Sequence, residues 1–180
     1  NITRSKNSKG QNIFKQSLRY FGEKKYGLMM YDRSDKILKT VSTNEIDSSK
    51  KTLLLIHGTF SCTATNFKEL LDDEVLHQLL ASNVVEQILA FDHPTISHDV
   101  FDNADWLYKT LGNLRFQHSV HLLSYSRGTL VAKWLAADRE NKHFVVDKLM
   151  SFSGANGVAY FKLGSSLAKG LSVLKMMKVS

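Results

Sequence analysis

A chain of 180 residues with 43% hydrophobic and 23% charged residues has the make-up of a soluble globular domain, which excludes a low-complexity or intrinsically disordered chain. The lone cysteine, Cys62, excludes a disulfide framework and a multi-cysteine metal site. No run approaches the roughly 18 apolar residues that span a bilayer, so no transmembrane segment is expected. The formal net charge is +7 and is uneven. Residues 1–50 hold eleven Lys/Arg against five Asp/Glu, while residues 51–180 hold thirteen against twelve.

The basic excess therefore belongs to the first residues. A basic arm can bind nucleic acid or anionic lipid. Here it lacks interleaved aromatics and Arg-rich runs, so nucleic acid is not the expected partner, and a solvated lead-in over residues 1–25 is preferred. The first residues, Asn-Ile-Thr-Arg-Ser-Lys, carry no apolar signal core. With the single thiol, this fits a reducing, cytoplasmic setting. The chain has no initiator Met, and the expectation is that it is a fragment.

In chain order, Ile13, Phe14, Leu18, Tyr20 and Phe21 mark a short amphipathic helix over 12–22. Residues 26–32 and 36–43 read as strands joined by the turn Arg33-Ser34-Asp35, giving a hairpin. Thr52–Ile56 is a continuous apolar run closing on His57-Gly58, the pattern of a strand buried on both faces. Phe67, Leu70, Leu71, Val75, Leu76, Leu79 and Leu80 predict a helix over 66–81. Val84–Phe91 is a second apolar strand, and the chain's one proline, Pro94, marks the loop after it. A helix is predicted over 101–115, a strand over 120–123, a helix over 127–140 and a strand over 148–152. A last helix or loop covers 158–178, broken at Gly164 and Gly170. Strands alternating with helices after a hairpin imply an α/β fold: a mostly parallel central sheet with helices on both faces.

Ligands of such sheets bind at the carboxyl ends of the strands. Those ends read His57-Gly58-Thr59, Asp92-His93-Pro94, Ser124-Tyr125-Ser126-Arg127-Gly128 and Ser153-Gly154-Ala155-Asn156. In the third, an apolar strand turns abruptly into a helix with Ser126 at the turn. A nucleophile elbow is built this way, usually as Gly-x-Ser-x-Gly, because the serine takes a strained backbone and residues two positions away approach one another. Gly128 supplies one small position, and Ser124 stands where the first glycine is usual. The turn also sets Ser126 at a helix start, whose N–H groups favour developing negative charge. His57-Gly58 after an early core strand sits where an oxyanion-hole N–H is donated. The candidate donors are the N–H groups of Thr59 or Phe60 and of Arg127.

Ile56-His57-Gly58-Thr59 with Ser124-Tyr125-Ser126-Arg127-Gly128 resembles the α/β-hydrolase superfamily, in particular its lipase- and esterase-like branch. Phe91-Asp92-His93-Pro94-Thr95 with Ser126-Arg127-Gly128 is also similar to a bacterial group of such domains found beside caspase-like proteases. The resemblance implies a domain over 26–180 that is the N-terminal part of such a fold. It implies Ser126 as nucleophile toward an acyl-ester or lipid-like substrate, with no cofactor and no metal, and a carboxylate and then a histidine later in the chain. After Ser126 the chain offers Asp138, Glu140, His143 and Asp147, all in or just after the helix that follows the elbow, so the acid and base are expected from beyond this sequence. The alternative is a catalytically inactive hydrolase-like module that binds a protein partner or acyl ligand in a larger assembly.

Other residues have plainer readings. His57 is structural, holding the oxyanion loop. His93 and His98, with Asp92, Asp99 and Asp102, are loop residues at a strand end, with Asp102 capping a helix. Cys62 is a small buried residue, and Trp106 and Trp134 pack in the core. Arg127 either binds an anionic substrate group or faces solvent and contributes only its backbone.

Overall fold

A computed structural model describes residues 26–154. The helix expected over 12–22 and the segment 158–178 lie outside the described residues. The elements are β1 (Gly27–Asp32), β2 (Ile37–Thr40), a 3-10 turn (Thr43–Glu45), β3 (Thr52–Ile56), α1 (Thr63–Asn66), α2 (Lys68–Asp72), α3 (Glu74–Ala81), β4 (Gln87–Asp92), α4 (Val100–Leu111), β5 (Val120–Tyr125), α5 (Gly128–Ala137) and β6 (Val146–Phe152).

The hairpin forms as its turn residues dictate. Asp32 Oδ1 accepts the N–H groups of Ser34 (2.8 Å) and Asp35 (3.2 Å), and Lys36 takes a positive φ of 55°. β2 stops at Thr40, short of the expected Thr43, because Ser42 turns the chain: its N–H and hydroxyl both donate to Glu45 Oε2, at 2.8 and 2.6 Å. The single helix expected over 66–81 is three short ones. Phe67, Leu71, Leu76 and Leu80 all face the core, but the step from 71 to 76 turns a straight helix by roughly 140° from the shared face. An extended Asp73 (ψ 139°) absorbs that offset and lets both halves bury their apolar side chains. α4 ends at Leu111, four residues before the predicted end, with Gly112 (φ 59°) as its C-cap.

The six strands form one sheet in the order β2-β1-β4-β3-β5-β6. β1 pairs antiparallel with β2 and β4, and β3, β4, β5 and β6 are mutually parallel. Strand side chains alternate between faces. Leu54, Ile56, Leu89, Phe91 and Leu122 therefore meet Val100, Ala104, Leu107, Leu130, Val131 and Leu135 of α4 and α5. Leu55, Ile88, Ala90 and Leu123 meet Phe67, Leu71, Leu76 and Leu80 on the opposite face. Burial on both faces explains the uninterrupted apolar runs of β3 and β4. β6 pairs only with β5 among the described residues, and its Met150 is 61% exposed.

The connection from β3 leaves toward the α1–α3 face. The connection from its neighbour β5 leaves toward the α4–α5 face. Two adjacent parallel strands whose chains depart to opposite faces mark, at their carboxyl ends, the switch point where open α/β sheets bind ligands. Gly58 and Ser126 flank that point.

Candidate functional site

The elbow is built from backbone strain and two close approaches. Ser126 has φ 50°, a left-handed conformation that costs a non-glycine residue about 1–2 kcal/mol. It is held there at both ends: its N–H donates to Phe152 O at 3.0 Å, and its carbonyl accepts the Thr129 N–H at 3.0 Å, starting α5. A Cβ on Gly128 would sit 2.5 Å from Ile56 O and closer still to His57 O, so only glycine lets α5 begin against the end of β3. A Cβ on Gly58 would sit 2.9 Å from Ser126 Cβ and 3.1 Å from Tyr125 O. The backbone of the β3 turn is thus pressed against the serine. Ser124 is buried, and its hydroxyl meets Ser151 Oγ at 2.9 Å and reaches Thr129 Oγ1 and Met150 O at 3.3 Å. A side chain fits here and ties β5 to α5 and β6.

The turn after β3 is fixed by Asn66, which the sequence reading did not single out. Its Oδ1 accepts the Gly58 N–H at 2.8 Å and the Ser61 hydroxyl at 2.6 Å. Phe60 has φ 56° and is 58% exposed, and its N–H donates to Thr95 Oγ1 at 3.1 Å. Of the expected donors, Phe60 N–H is therefore engaged. The N–H groups of Thr59 and Arg127 have no acceptor among the described residues.

Beneath these strand ends lies a buried polar layer. His57 is fully buried; its Nδ1 lies 2.8 Å from Gly58 O, and its Nε2 accepts the His93 N–H at 3.0 Å. An Nε2 that accepts and an Nδ1 beside a carbonyl define the neutral Nδ1–H tautomer. Asp92 Oδ1, 3.7 Å from that Nε2, accepts both the N–H (2.8 Å) and the hydroxyl (2.7 Å) of Thr63. The carboxylate thereby fixes the start of α1. His93 is fully buried, stacks on Phe91 and lies over His57 with ring centres 4.2 Å apart. It belongs to the interior and does not line a cleft.

The solvent-facing reading of Arg127 needs correction. The residue is 6% exposed, and one guanidinium nitrogen donates to His98 O at 2.7 Å. Burial pushes the guanidinium's pKa down, and the Asp99 carboxylate opposes that shift. Asp99, not Asp102, is the N-cap of α4, accepting the Asp102 N–H at 2.8 Å, and Asp102 reciprocates to the Asp99 N–H at 3.2 Å. Trp106 packs partly buried against the core, but Trp134 is 39% exposed and meets Phe101 edge-on at 4.6 Å. Cys62 is half-buried at the start of α1, 3.1 Å from Thr65 Oγ1.

The titratable residues after Ser126 gather at the other end of the sheet. Asp138 follows α5, ~15 Å from the elbow at 1.5 Å per helical residue. Its carboxylate accepts the Tyr108 hydroxyl at 2.9 Å. Burial first, and then the Asp138 carboxylate, push the Tyr108 phenol well above its ordinary pKa. His143 stacks on Tyr108 with Nδ1 3.0 Å from Leu114 O, Asp147 lies 3.6 Å from His121 Nδ1, and Glu140 is exposed. Among the described residues, none of these stands at the carboxyl end of a strand.

The architecture is that of an α/β protein whose parallel strands end in a strand-turn-helix elbow carrying a serine. Residues 24–179 match the family described as "Domain of unknown function (DUF7379)", and the chain belongs to that family. No curated protein matches the chain. Among solved structures it is similar to a Bacillus licheniformis lipase, BlEst2, in its propeptide form. The identity is 18% and the TM-score 0.38, over 61% of this chain and 23% of that one. The match spans about a quarter of the lipase. Among the described residues no helix is long and apolar enough to cross a membrane.

Proposed function

We propose that the chain carries the nucleophile half of a serine hydrolase acting on acyl-ester or lipid-like substrates. Ser126 Oγ attacks the carbonyl carbon and its proton passes to a base. The resulting oxyanion is stabilised by the N–H groups of Thr59 and Arg127, and its collapse expels the alcohol to leave an acyl-Ser126 ester that water hydrolyses. The base and its carboxylate partner come from outside residues 26–154. One observation carries the reading: a serine at φ 50° between a core strand and a helix, with the Gly58 backbone against its Cβ. Strain of this kind is kept where a side chain must be presented at a fixed place. His57 is excluded as the base, because its Nε2 lone pair is spent on the His93 N–H.

The test is labelling of the full-length protein with a fluorophosphonate, followed by mapping of the adduct. The expected result is one adduct, on Ser126, lost in Ser126→Ala together with esterase turnover while the fold is kept. Turnover near wild type in Ser126→Ala would sink the reading. A second reading, an inactive module that binds an acyl ligand or protein, is favoured by the position of Asp138, Glu140, His143 and Asp147 away from the elbow. It expects no adduct on Ser126 in the full-length protein.

A further inference from the structure

We propose that the loop over 93–99 is a clamp that sets the spacing of the two strand-end turns, with Thr95 and Arg127 as its positioning residues. The evidence is a pair of bonds made by one loop to two different turns. At one end, the Thr95 hydroxyl accepts the Phe60 N–H at 3.1 Å. At the other, Arg127 donates to the His98 carbonyl at 2.7 Å. Phe60 belongs to the turn after β3, and Arg127 is the residue after Ser126. The loop therefore adds a hydrogen-bonded tie between the β3 turn and the elbow to the packing of Gly58 against Ser126 and Tyr125.

The partners suit this use. The Thr95 side chain is held in the interior, with its residue 6% exposed, and Arg127 is equally buried. A buried guanidinium is costly to desolvate, so the bond it makes to the His98 carbonyl offsets part of that cost. Arg127 Nη1 is also buried with no acceptor among the described residues, so the carbonyl of His98 is a disproportionate share of what holds the side chain. The loop's far end is anchored too, because Asp99 caps α4 through its reciprocal bonds with Asp102. A loop fixed at Asp99 and drawn onto Arg127 has little freedom to move Thr95. Phe60, at φ 56°, is in a conformation that needs an external hold, and the Thr95 hydroxyl is one such hold.

The consequence for chemistry rests on the serine-hydrolase reading: the clamp fixes the separation of the Thr59 and Arg127 N–H groups. The clamp itself does not depend on that reading. The test is residue-resolved amide hydrogen exchange on the full chain for wild type, Thr95→Val, Arg127→Met and Arg127→Lys, alongside fluorophosphonate labelling kinetics. Thr95→Val should speed exchange of the Phe60 amide by about fivefold, the worth of one neutral hydrogen bond. Arg127→Met, whose change lies on the other turn, should speed the same amide by a similar factor. The Leu55 and Leu123 amides in β3 and β5 should hold their wild-type rates. Arg127→Lys, which keeps a charge and a donor, should fall between and serves if Arg127→Met does not fold. A Phe60 amide that responds to Thr95→Val but to neither Arg127 variant overturns the clamp, whatever Ser126 does with the probe. A Phe60 amide that responds to all three while wild-type Ser126 takes no label supports the clamp and removes the hydrolase reading. Where wild type does label, Arg127→Met should lower the maximal labelling rate and leave the half-saturating probe concentration within about twofold, as expected when binding is kept and geometry is lost.

Discussion

Gly128→Ala tests whether the elbow is as tightly seated on β3 as the geometry says. The added Cβ would stand 2.5 Å from the Ile56 carbonyl oxygen and closer to that of His57, both of them backbone atoms at the end of a central strand. Ordinary carbon contacts begin near 3.5 Å, so about 1 Å must be found by moving α5 or bending β3. Overpacking of this order costs about 1–3 kcal/mol. Alanine returns less than ~1 kcal/mol, because Gly128 opens the helix and the propensity gain of the helix interior is only partly realised there. The net loss is about 1–2 kcal/mol, a fall in melting temperature of roughly 2–8 °C for a chain of this size. Thermal and urea unfolding of the two proteins, followed by far-UV circular dichroism, measure it. A 1 Å displacement of Ser126 should also slow its labelling about 100-fold. An alanine variant as stable as wild type, or more so, would show that the approach of α5 to β3 is looser than described, and the elbow argument would go with it.

Two further substitutions probe the surrounding frame. Asp92→Ala should cost about 2–4 kcal/mol by stranding the Thr63 N–H and hydroxyl in the interior, whereas Asp92→Asn keeps an acceptor and should cost distinctly less. Equal losses in urea midpoints would show that the carboxylate does not organise α1. For Tyr108, the folded chain holds the phenol proton beyond its unfolded pKa, because burial and the Asp138 carboxylate disfavour the phenolate. Stability present below about pH 10 is therefore lost as the pH climbs above it, since the unfolded chain gives up the proton first. Tyr108→Phe should flatten that alkaline fall in a pH series of unfolding midpoints, and an unchanged slope would mean that other tyrosines account for it.

The parallel core was legible because its strands are buried on both faces. Leu53 to Ile56 and Ile88 to Phe91 are uninterrupted apolar runs. The elbow was legible because a strand pattern changes into a helix pattern at one serine between small residues. What escaped the sequence was carried by side chains acting on distant backbone. Nothing in the local pattern marks Asn66 as the acceptor for Gly58 N–H, or Thr95 as the acceptor for Phe60 N–H thirty-five positions away. The direction of Arg127 was hidden too, because a charged residue at the first turn of a helix ordinarily points to water. The broken helix over 63–81 was hidden only in part. Its apolar spacing of four, five and four already departs from a single face at Leu71–Leu76.

These hidden contacts bear on how the serine is read. An elbow glycine such as Gly128 needs only a helix packed on a strand. Here several side-chain hydrogen bonds hold the backbone of the strand-end turns: the Asn66 amide on Gly58 N–H, the Thr95 hydroxyl on Phe60 N–H, His57 across to the His93 N–H, and Arg127 on His98 O. Each restrains a turn at the carboxyl end of β3, β4 or β5, and none is needed to complete the apolar clusters on either face of the sheet. A binding module requires a shaped crevice but tolerates backbone N–H groups turned to internal acceptors. The pattern differs from that: Gly58 and Phe60 donate internally while, among the described residues, Thr59, between them, and Arg127, after the serine, do not. Two open donors on the two turns that meet at Ser126 are what the proposed oxyanion stabilisation requires.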